Sequence, residues 1–475
     1  MHPLSDRVHR LRVGMWWAAF LGAWFLLLLA LADVTAQERP AAGGASPAEV
    51  RMQQLEAEMR ALTKELAAMR EQFKGDGRLA EVDRKIEVLA GELESLRTQL
   101  TVPAKKELKS QFGLGPAASS VYQLTQGLSI GGYGEASYRS FFDPDDPPAK
   151  VDLTRAVLYF GYKFSDRIVF NSEIEFEHAT TGSTVSAGSG EASVEFAALD
   201  FFLRPEINAR AGLLLVPMGF LNETHEPPFY HGVQRPEVER QIIPSTWREN
   251  GFGIFGNLGD KVSYRTYLIN SVNAKGFRAS DLRNVRQKGN EALAEDFAWV
   301  GRLDVKPIPE LLLGGSFFLG DTGQDQTFAG RKVDAFTALG SLHAQLRYRG
   351  MELRGLGVWG SIDDAEALSA DPAIRGPISE EVWGAYGEIA YDLMRLIKPE
   401  SQQSLTPFYR FERWNTQDDV PRGFVADLRR DVTLNTLGLD YKPHPNVVLK
   451  SEFRFFEQER GERSDEFALG IGYVF

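Results

Sequence analysis

The chain ends on Glu466-Phe467-Ala468-Leu469-Gly470-Ile471-Gly472-Tyr473-Val474-Phe475. Phe467, Leu469, Ile471, Tyr473 and Phe475 alternate with Ala468, Gly470, Gly472 and Val474, so one face is apolar and aromatic and the other is mostly small. A period of two is the signature of a β-strand. The closing strand of a membrane barrel needs one lipid-facing apolar row with an aromatic residue near the interface. An ordinary last strand in a soluble β-protein can show the same alternation, so the rest of the chain has to decide.

Working back from this strand, the same period dominates from Gln126 onward. In residues 168–178, Ile168, Phe170, Ile174 and Phe176 alternate with Asn171, Glu173, Glu175 and Glu177, setting an apolar face against an acidic one. Read in this way the chain yields sixteen strands, from 127–140, 151–164 and 167–180 to 431–442, 446–457 and 465–475. The connections between them differ in kind. Ser165-Asp166, Leu258-Gly259-Asp260 and Pro443-His444-Pro445 are tight turns, whereas residues 141–150, 218–247, 273–295, 362–380 and 416–430 are long, polar and charged. Short turns at one end and long loops at the other are the pattern of an outer-membrane barrel. The expected fold class is therefore all-β, a 16-stranded antiparallel transmembrane β-barrel over residues 127–475, preceded by an α-helical coiled coil.

Composition agrees with this class and removes others. The 475 residues include 45 glycines, 31 phenylalanines and no cysteine, and the formal net charge is −12. Without cysteine there are no disulfides, thiol nucleophiles or thiolate metal sites. An acidic chain lacks the surplus of Lys and Arg that a nucleic-acid partner requires. Mean hydropathy is −0.25 with one long apolar run at the N-terminus. That excludes a polytopic helical membrane protein but not a barrel, whose alternating strands average near neutrality.

The N-terminal quarter divides further. Arg7, Arg10 and Arg12 precede an apolar run from Met15 to Ala32, and Val34-Thr35-Ala36 supplies small residues before Gln37. This is the pattern of a secretory signal peptide over residues 1–36. Residues 37–47 read as a linker. Within 48–101, Met52, Leu55, Met59, Leu62, Leu66, Met69 and Phe73, then Leu79, Val82, Ile86, Leu89, Leu93, Leu96 and Leu100, repeat at alternating steps of three and four. Such an apolar seam lets helices supercoil, and Gly75-Asp76-Gly77 breaks its register, leaving a kinked rod or a hairpin open. A periplasmic coiled-coil stalk is expected here, with residues 102–126 as a second linker.

Alternation assigns the polar half of each strand to the lumen, because a charged side chain facing lipid costs about 2–4 kcal/mol at mid-membrane. The expected pore-lining residues are Arg155, Glu173, Glu175, Glu177, Arg265, Arg302, Arg347, Arg410, Lys450 and Arg454, with Asn171, His343, Gln345, Glu388, Glu412 and Glu452 beside them. Residues 218–247 form the longest connection, third in the count. A structureless loop of this length requires a reason. It carries Glu223, His225, Glu226, His231, Arg235, Glu237, Glu239 and Arg240, and is expected to fold inward as the pore constriction. Its acids, with Glu173, Glu175 and Glu177 opposite, predict a weak cation preference.

Three further stretches carry a family likeness. Gly131-Gly132-Tyr133-Gly134-Glu135 opens the barrel, Val216-Pro217-Met218-Gly219 enters the third loop, and Arg248-Glu249-Asn250-Gly251-Phe252-Gly253 leaves it. From about Gly127 to Phe475 the chain resembles the phosphate-selective porin O and P family of bacterial outer-membrane porins, some of which carry an N-terminal coiled coil. The resemblance implies a homotrimeric passive channel for small hydrophilic solutes or ions, phosphate and other anions among them. Phosphate selectivity there depends on an arginine ladder and a lysine cluster, which this sequence does not match residue by residue. Tyr473 and Phe475 resemble the C-terminal signal read by the barrel-assembly machinery. The partners expected are outer-membrane lipid, that machinery, two further copies of the chain and the peptidoglycan reached by the stalk, with no nucleic acid. The alternative is a structural outer-membrane anchor that tethers the membrane to the cell wall.

No enzyme, cofactor or metal site is expected. Gly251-Phe252-Gly253-Ile254-Phe255-Gly256 fits a dinucleotide fingerprint by spacing, yet a turn follows where that fold needs a helix. His225-Glu226 and His231 lack the spacing of a zinc protease helix, and Pro227-Pro228 forbid the helix itself. Asp143, Asp145 and Asp146 read as a solvated acidic loop, and no Gly-x-Ser-x-Gly occurs.

Overall fold

The computed structural model describes residues 108–143, 147–182 and 190–475. The signal peptide, the coiled coil and the acidic pair Asp145 and Asp146 lie outside the described residues. Among those described, sixteen strands close into one antiparallel barrel. They are β1 (Gly127–Phe141), β2 (Lys150–Ser165), β3 (Ile168–Glu177), β4 (Glu191–Arg204), β5 (Ile207–Leu215), β6 (Arg248–Leu258), β7 (Val262–Asn270), β8 (Phe297–Ile308) and β9 (Leu311–Gly320). After a two-stranded ribbon of β10 (Thr327–Phe328) and β11 (Arg331–Lys332) come β12 (Thr337–Tyr348), β13 (Met351–Ile362), β14 (Glu381–Tyr391), β15 (Ser404–Asp419), β16 (Asp431–His444), β17 (Val447–Gln458) and β18 (Glu466–Val474).

Each barrel strand pairs with its sequence neighbour, and β18 returns to β1. The aromatic terminus makes that closure: Phe475 N–H donates to Gly132 O at 2.9 Å and Gly132 N–H donates back to Phe475 O at 3.0 Å. Closure removes the unpaired strand edges that hydrocarbon would not tolerate. The outer wall is apolar and rich in rings, with Leu128, Ile130, Phe252, Trp299, Leu342, Trp359, Phe411, Leu437 and Tyr473 all exposed. The charged residues of the same strands are buried on the inner wall, among them Glu173, Arg265, Arg302, Arg410, Glu412, Lys450 and Arg454. Polar inside and apolar outside is the inverse of a soluble fold, and it is what a bilayer selects.

A barrel of sixteen strands has a bore wide enough for an aqueous channel, and here the loop end of that bore is partly filled. There Val216, Met218, Val238, Ile242, Ile243 and Trp247 join Phe277, Leu282 and Val285 of the next long loop, and Leu368, Ile374 and Ile378 of residues 363–380, in one apolar cluster. The cluster packs on inward Tyr267, Ile269, Val300, Phe318, Leu339, Val358, Val382 and Trp414. The long loops thus carry their own apolar residues inward and fill part of the bore.

Residues 102–126 are expected from sequence as a linker, and those described, from Leu108, enter the turn end of the barrel. Ala117, Ala118, Ser119, Ser120 and Val121 are buried, and Ala118–Gln123 forms a short 3-10 helix. Asn171 Nδ2 donates to Ala118 O at 2.8 Å, Arg210 Nη1 to Phe112 O at 3.2 Å and Lys163 Nζ to Leu124 O at 2.7 Å. The Phe112 ring sits 5.0, 5.1 and 5.4 Å from those of Tyr122, Phe202 and Phe255. The wall makes room with a glycine: a Cβ on Gly161 would fall 2.6 Å from the Val121 side chain.

Candidate functional site

Residues 218–247, hereafter loop 3, fold into the barrel rather than over it. Pro217 cannot donate to a ladder, so β5 stops at Leu215, and Gly219 turns the chain inward at φ +68°. Asn222 closes the neck of the loop. Its Nδ2 donates to Val216 O at 2.6 Å and Trp247 O at 2.9 Å, while its Oδ1 accepts from Trp247 N at 2.6 Å. The side chain behaves as one more rung of sheet between the two arms. Asn222 was not among the residues singled out from sequence, because an Asn in a long loop gives no local signal of what it will face.

From this neck the loop reaches both sides of the wall. On one side Glu223 meets Arg265 of β7 at 2.9 Å, and His225 meets Glu173 of β3 at 3.3 Å. On the other, His231 Nδ1 lies 2.7 Å from Asp440 of β16, and the Val233 and Gln234 N–H groups donate to Glu452 of β17 at 3.0 and 2.9 Å. Further along, Glu237 pairs with Arg454 of β17, Val238 N–H donates to Glu412 of β15 at 3.2 Å, and Tyr386 of β14 donates to Glu239 at 2.6 Å. Glu226 points toward the turn end and accepts from the N–H groups of Ala117 and Ala118 at 3.0 and 3.4 Å. Loop 3 and the inserted N-terminal segment therefore touch each other inside the bore.

The sequence-predicted residues fall into three groups. Glu223, His225, Glu226, Arg235, Glu237 and Glu239 are all buried, while Arg240 is partly exposed. Of the wall residues, Arg155 bridges Glu135 and Glu175 at 2.7 and 3.1 Å, Arg265 and Arg302 share Asp304 at 3.1 and 2.8 Å, and Arg410 joins Glu388 and Glu412 at 3.1 and 3.0 Å. Lys450 donates to the carbonyls of Tyr230 and Gly232 at 2.8 Å each. Arg347 stands apart, more than half exposed near the turn end and paired with Glu352. Tyr473 and Phe475 lie on the outer wall by the β1–β18 seam.

Two cavities flank loop 3, and no residue lines both. One of about 720 Å³ opens at the turn end between Leu108, Phe112 and the turn residues Gly259, Asp260 and Lys261. The other, about 240 Å³, lies toward the loop end beside Tyr230, Gln234 and Thr246. Of the acids behind the expected cation preference, Glu173, Glu175, Glu223 and Glu237 are paired with His225, Arg155, Arg265 and Arg454, and the residues that line each cavity include more bases than acids. The larger cavity sets Lys261, Arg265, Arg302, Lys306, Arg347 and Arg354 against Glu223, Asp260 and Asp304. The smaller sets Arg155, Arg235, Arg240, Arg283 and Lys450 against Glu135 and Glu177. Arg283, in the loop between β7 and β8, registers this crowding: burial and then the charges of Arg286, Arg240 and Arg235 lower its guanidinium to about 9. It stays protonated at neutral pH. Arg235 is buried, its Nε has no hydrogen-bond partner among the described residues, and its Nη2 reaches only His225 O, at 3.5 Å.

Sequence reasoning missed the partners more than the residues it named. Glu195, Asp200, Arg210, Arg248, Asp304 and Asp440 all face inward and complete the pairs. Glu195 escaped because β4 breaks its own alternation. Glu173 stands opposite Phe196 and Ile174 opposite Val194, so Glu195 is the extra residue of a β-bulge. Glu195 and Phe196 are consecutive and both buried. A bulge re-aims a side chain in this way.

No family model matches the chain. An uncharacterized protein of Aquifex aeolicus (strain VF5) is 38% identical over 393 residues, spanning 80% of this chain and 87% of the relative. Among solved structures, Salmonella typhi OmpF in complex with daunomycin superposes with a TM-score of 0.50 at 12% identity, covering 74% of this chain and 98% of that one. The outer membrane channel DcaP of Acinetobacter baumannii gives 0.47 at 12% identity, covering 73% and 97%. The fold is that of a sixteen-stranded porin-type barrel.

Proposed function

We propose that this chain, which belongs to one family with the uncharacterized Aquifex aeolicus protein, is an outer-membrane channel for small hydrophilic solutes whose bore is set by loop 3 and favours small anions. The observation that carries the reading is the pair of lumenal cavities, each lined by more bases than acids and separated by a loop held to the wall by ion pairs. In a passage this narrow, fixed charges are poorly screened, so a small imbalance biases permeation. Buried Arg235 and half-buried Arg283, beside the smaller cavity, offer donors to a passing anion. The proposal is for small anions as a class and does not single out phosphate.

In this reading the chain inserts through the barrel-assembly machinery, which reads Tyr473 and Phe475, and sits in outer-membrane lipid as a homotrimer. Residues 48–101 form a periplasmic stalk that registers the trimer. An isolated 48–101 peptide should sediment as an oligomer; a monomer at high concentration contradicts the stalk. Planar bilayers with a tenfold salt gradient test the channel itself. Single-channel steps with a reversal potential on the anion side support it, and a cation-side potential overturns the anion preference.

The filling of the bore by loop 3 and residues 108–124 also favours a second reading, a structural anchor with a sealed barrel. Silence of a correctly folded trimer in the same bilayers would select it.

A further inference from the structure

Where loop 3 meets the β3–β4 wall, three side chains able to ligate a metal converge. His225 Nε2 lies 3.3 Å from Glu173 Oε1 and 3.8 Å from Glu195 Oε2, and the three atoms all fall within 4.8 Å of one another. All three residues are at most 2% exposed. Glu195 Oε2 is fully enclosed and receives no N–H or hydroxyl hydrogen bond among the described residues, its other close neighbour being the Glu175 carboxyl. An unsatisfied buried carboxylate oxygen is costly and demands an explanation.

The histidine narrows the explanation. Its Nδ1 lies 3.2 Å from the carbonyl of Asn222. A carbonyl can only accept, so Nδ1 carries the hydrogen and Nε2 faces the two carboxylates. A bare lone pair pointing at two carboxylate oxygens is repulsive; a cation in the gap removes the repulsion. We propose that Glu173, Glu195 and His225 bind one first-row divalent cation of the zinc class, which pins loop 3 to the barrel wall.

Donor chemistry and dimensions support this. One imidazole and two carboxylates suit zinc and its neighbours, whereas calcium takes six to eight oxygens. Ligand atoms bound tetrahedrally at about 2.0–2.2 Å stand about 3.3–3.6 Å apart, close to the 3.3 and 3.8 Å that separate His225 Nε2 from the two carboxylates. Metal-binding histidines commonly donate their other N–H to a carbonyl, as His225 does to Asn222. Two carboxylates balance the charge of the ion. Arg248 holds Glu195 Oε1 at 2.6 Å, Arg155 holds the neighbouring Glu175 at 3.1 Å, and Tyr133 donates to Glu173 Oε1 at 3.4 Å. Arg248 opposes the ion by charge but fixes the carboxylate that would receive it. The β4 bulge supplies the geometry, since it alone turns Glu195 beside Glu173.

The test uses the tag-free full chain in detergent, stripped with chelator and dialysed against Zn²⁺ or Co²⁺. Mass spectrometry should find about one zinc per chain, and cobalt should give the intense visible absorption of a tetrahedral site. His225→Ala and Glu195→Gln should each weaken zinc binding by at least about tenfold. Glu177→Gln, outside the triad, should leave it unchanged. Wild-type protein with no bound zinc and no cobalt band overturns the proposal and leaves a proton to bridge the cluster. Equal zinc in wild type and both variants overturns it as well, by placing the ion elsewhere. Because the wild-type reading stands alone, a variant that fails to fold leaves the proposal falsifiable. Zinc stoichiometry is independent of conductance, so failure here is distinct from failure of the channel reading.

Discussion

Arg410 illustrates the currency in which the lumen is built. Fully buried, it bonds Glu388 and Glu412 of the wall and also donates to the His231 and Gln234 carbonyls of loop 3, at 3.2 Å each. One planar guanidinium, with five donors in a fixed fork, satisfies wall and loop together. Arg410→Ala should strand two carboxylates and release the centre of the loop. Losing one partner of a buried pair costs about 3–5 kcal/mol, so the denaturation midpoint of the detergent-solubilised barrel should fall measurably. A conservative Arg410→Lys should recover only part of the loss, because an ammonium cannot reproduce the fork. Charge preference belongs to this scale too. Arg240→Glu with Arg283→Glu turns the five-to-two excess of bases beside the smaller cavity into three bases against four acids. The reversal potential should move toward cations while the barrel stays folded, since Arg240 is partly exposed, its partner Glu237 keeps Arg454, and the Arg283 side chain bonds only Ser245.

At the scale of elements, the segment before β1 makes the sharpest prediction. The natural chain has no cysteine, so Val121→Cys places a single thiol in it. Val121 is 1% exposed and enclosed by Gly161. A bulky maleimide should fail to label this thiol in the folded barrel and should label it fully in denaturant. Prompt labelling of the folded protein would restore the linker reading. This is also where sequence legibility ends. Strands such as β3 were readable because lipid on one side and charge on the other impose strict alternation, and their ends fell within a few residues of expectation. Residues 108–126 have no period: their aromatic and backbone partners lie on β2 to β6, far off in the chain. Glu195 was hidden by a bulge, which defeats alternation where it matters most. The ribbon β10–β11 and the long turn after β14, residues 392–403, were likewise invisible to a scheme that recognises only barrel strands and loops.

For the molecule as a whole, the arrangement is a rigid wall with a separate interior, apolar toward the loop end and charged below it, stitched to the wall by ion pairs. The wall follows from alternation and closure alone, and it would form around many lumens. The interior sets what passes, and it depends on pairings across the bore that only the closed barrel brings together. The central claim, that loop 3 sets the bore of a channel, is tested most directly by one paired measurement. Single-channel conductance in planar bilayers is compared between the full chain and a variant lacking residues 222–240, both shown to be folded and of equal oligomeric state. The account predicts small steps for the full chain and clearly larger ones for the deletion. Equal conductance in the two, or silence in both, would contradict it.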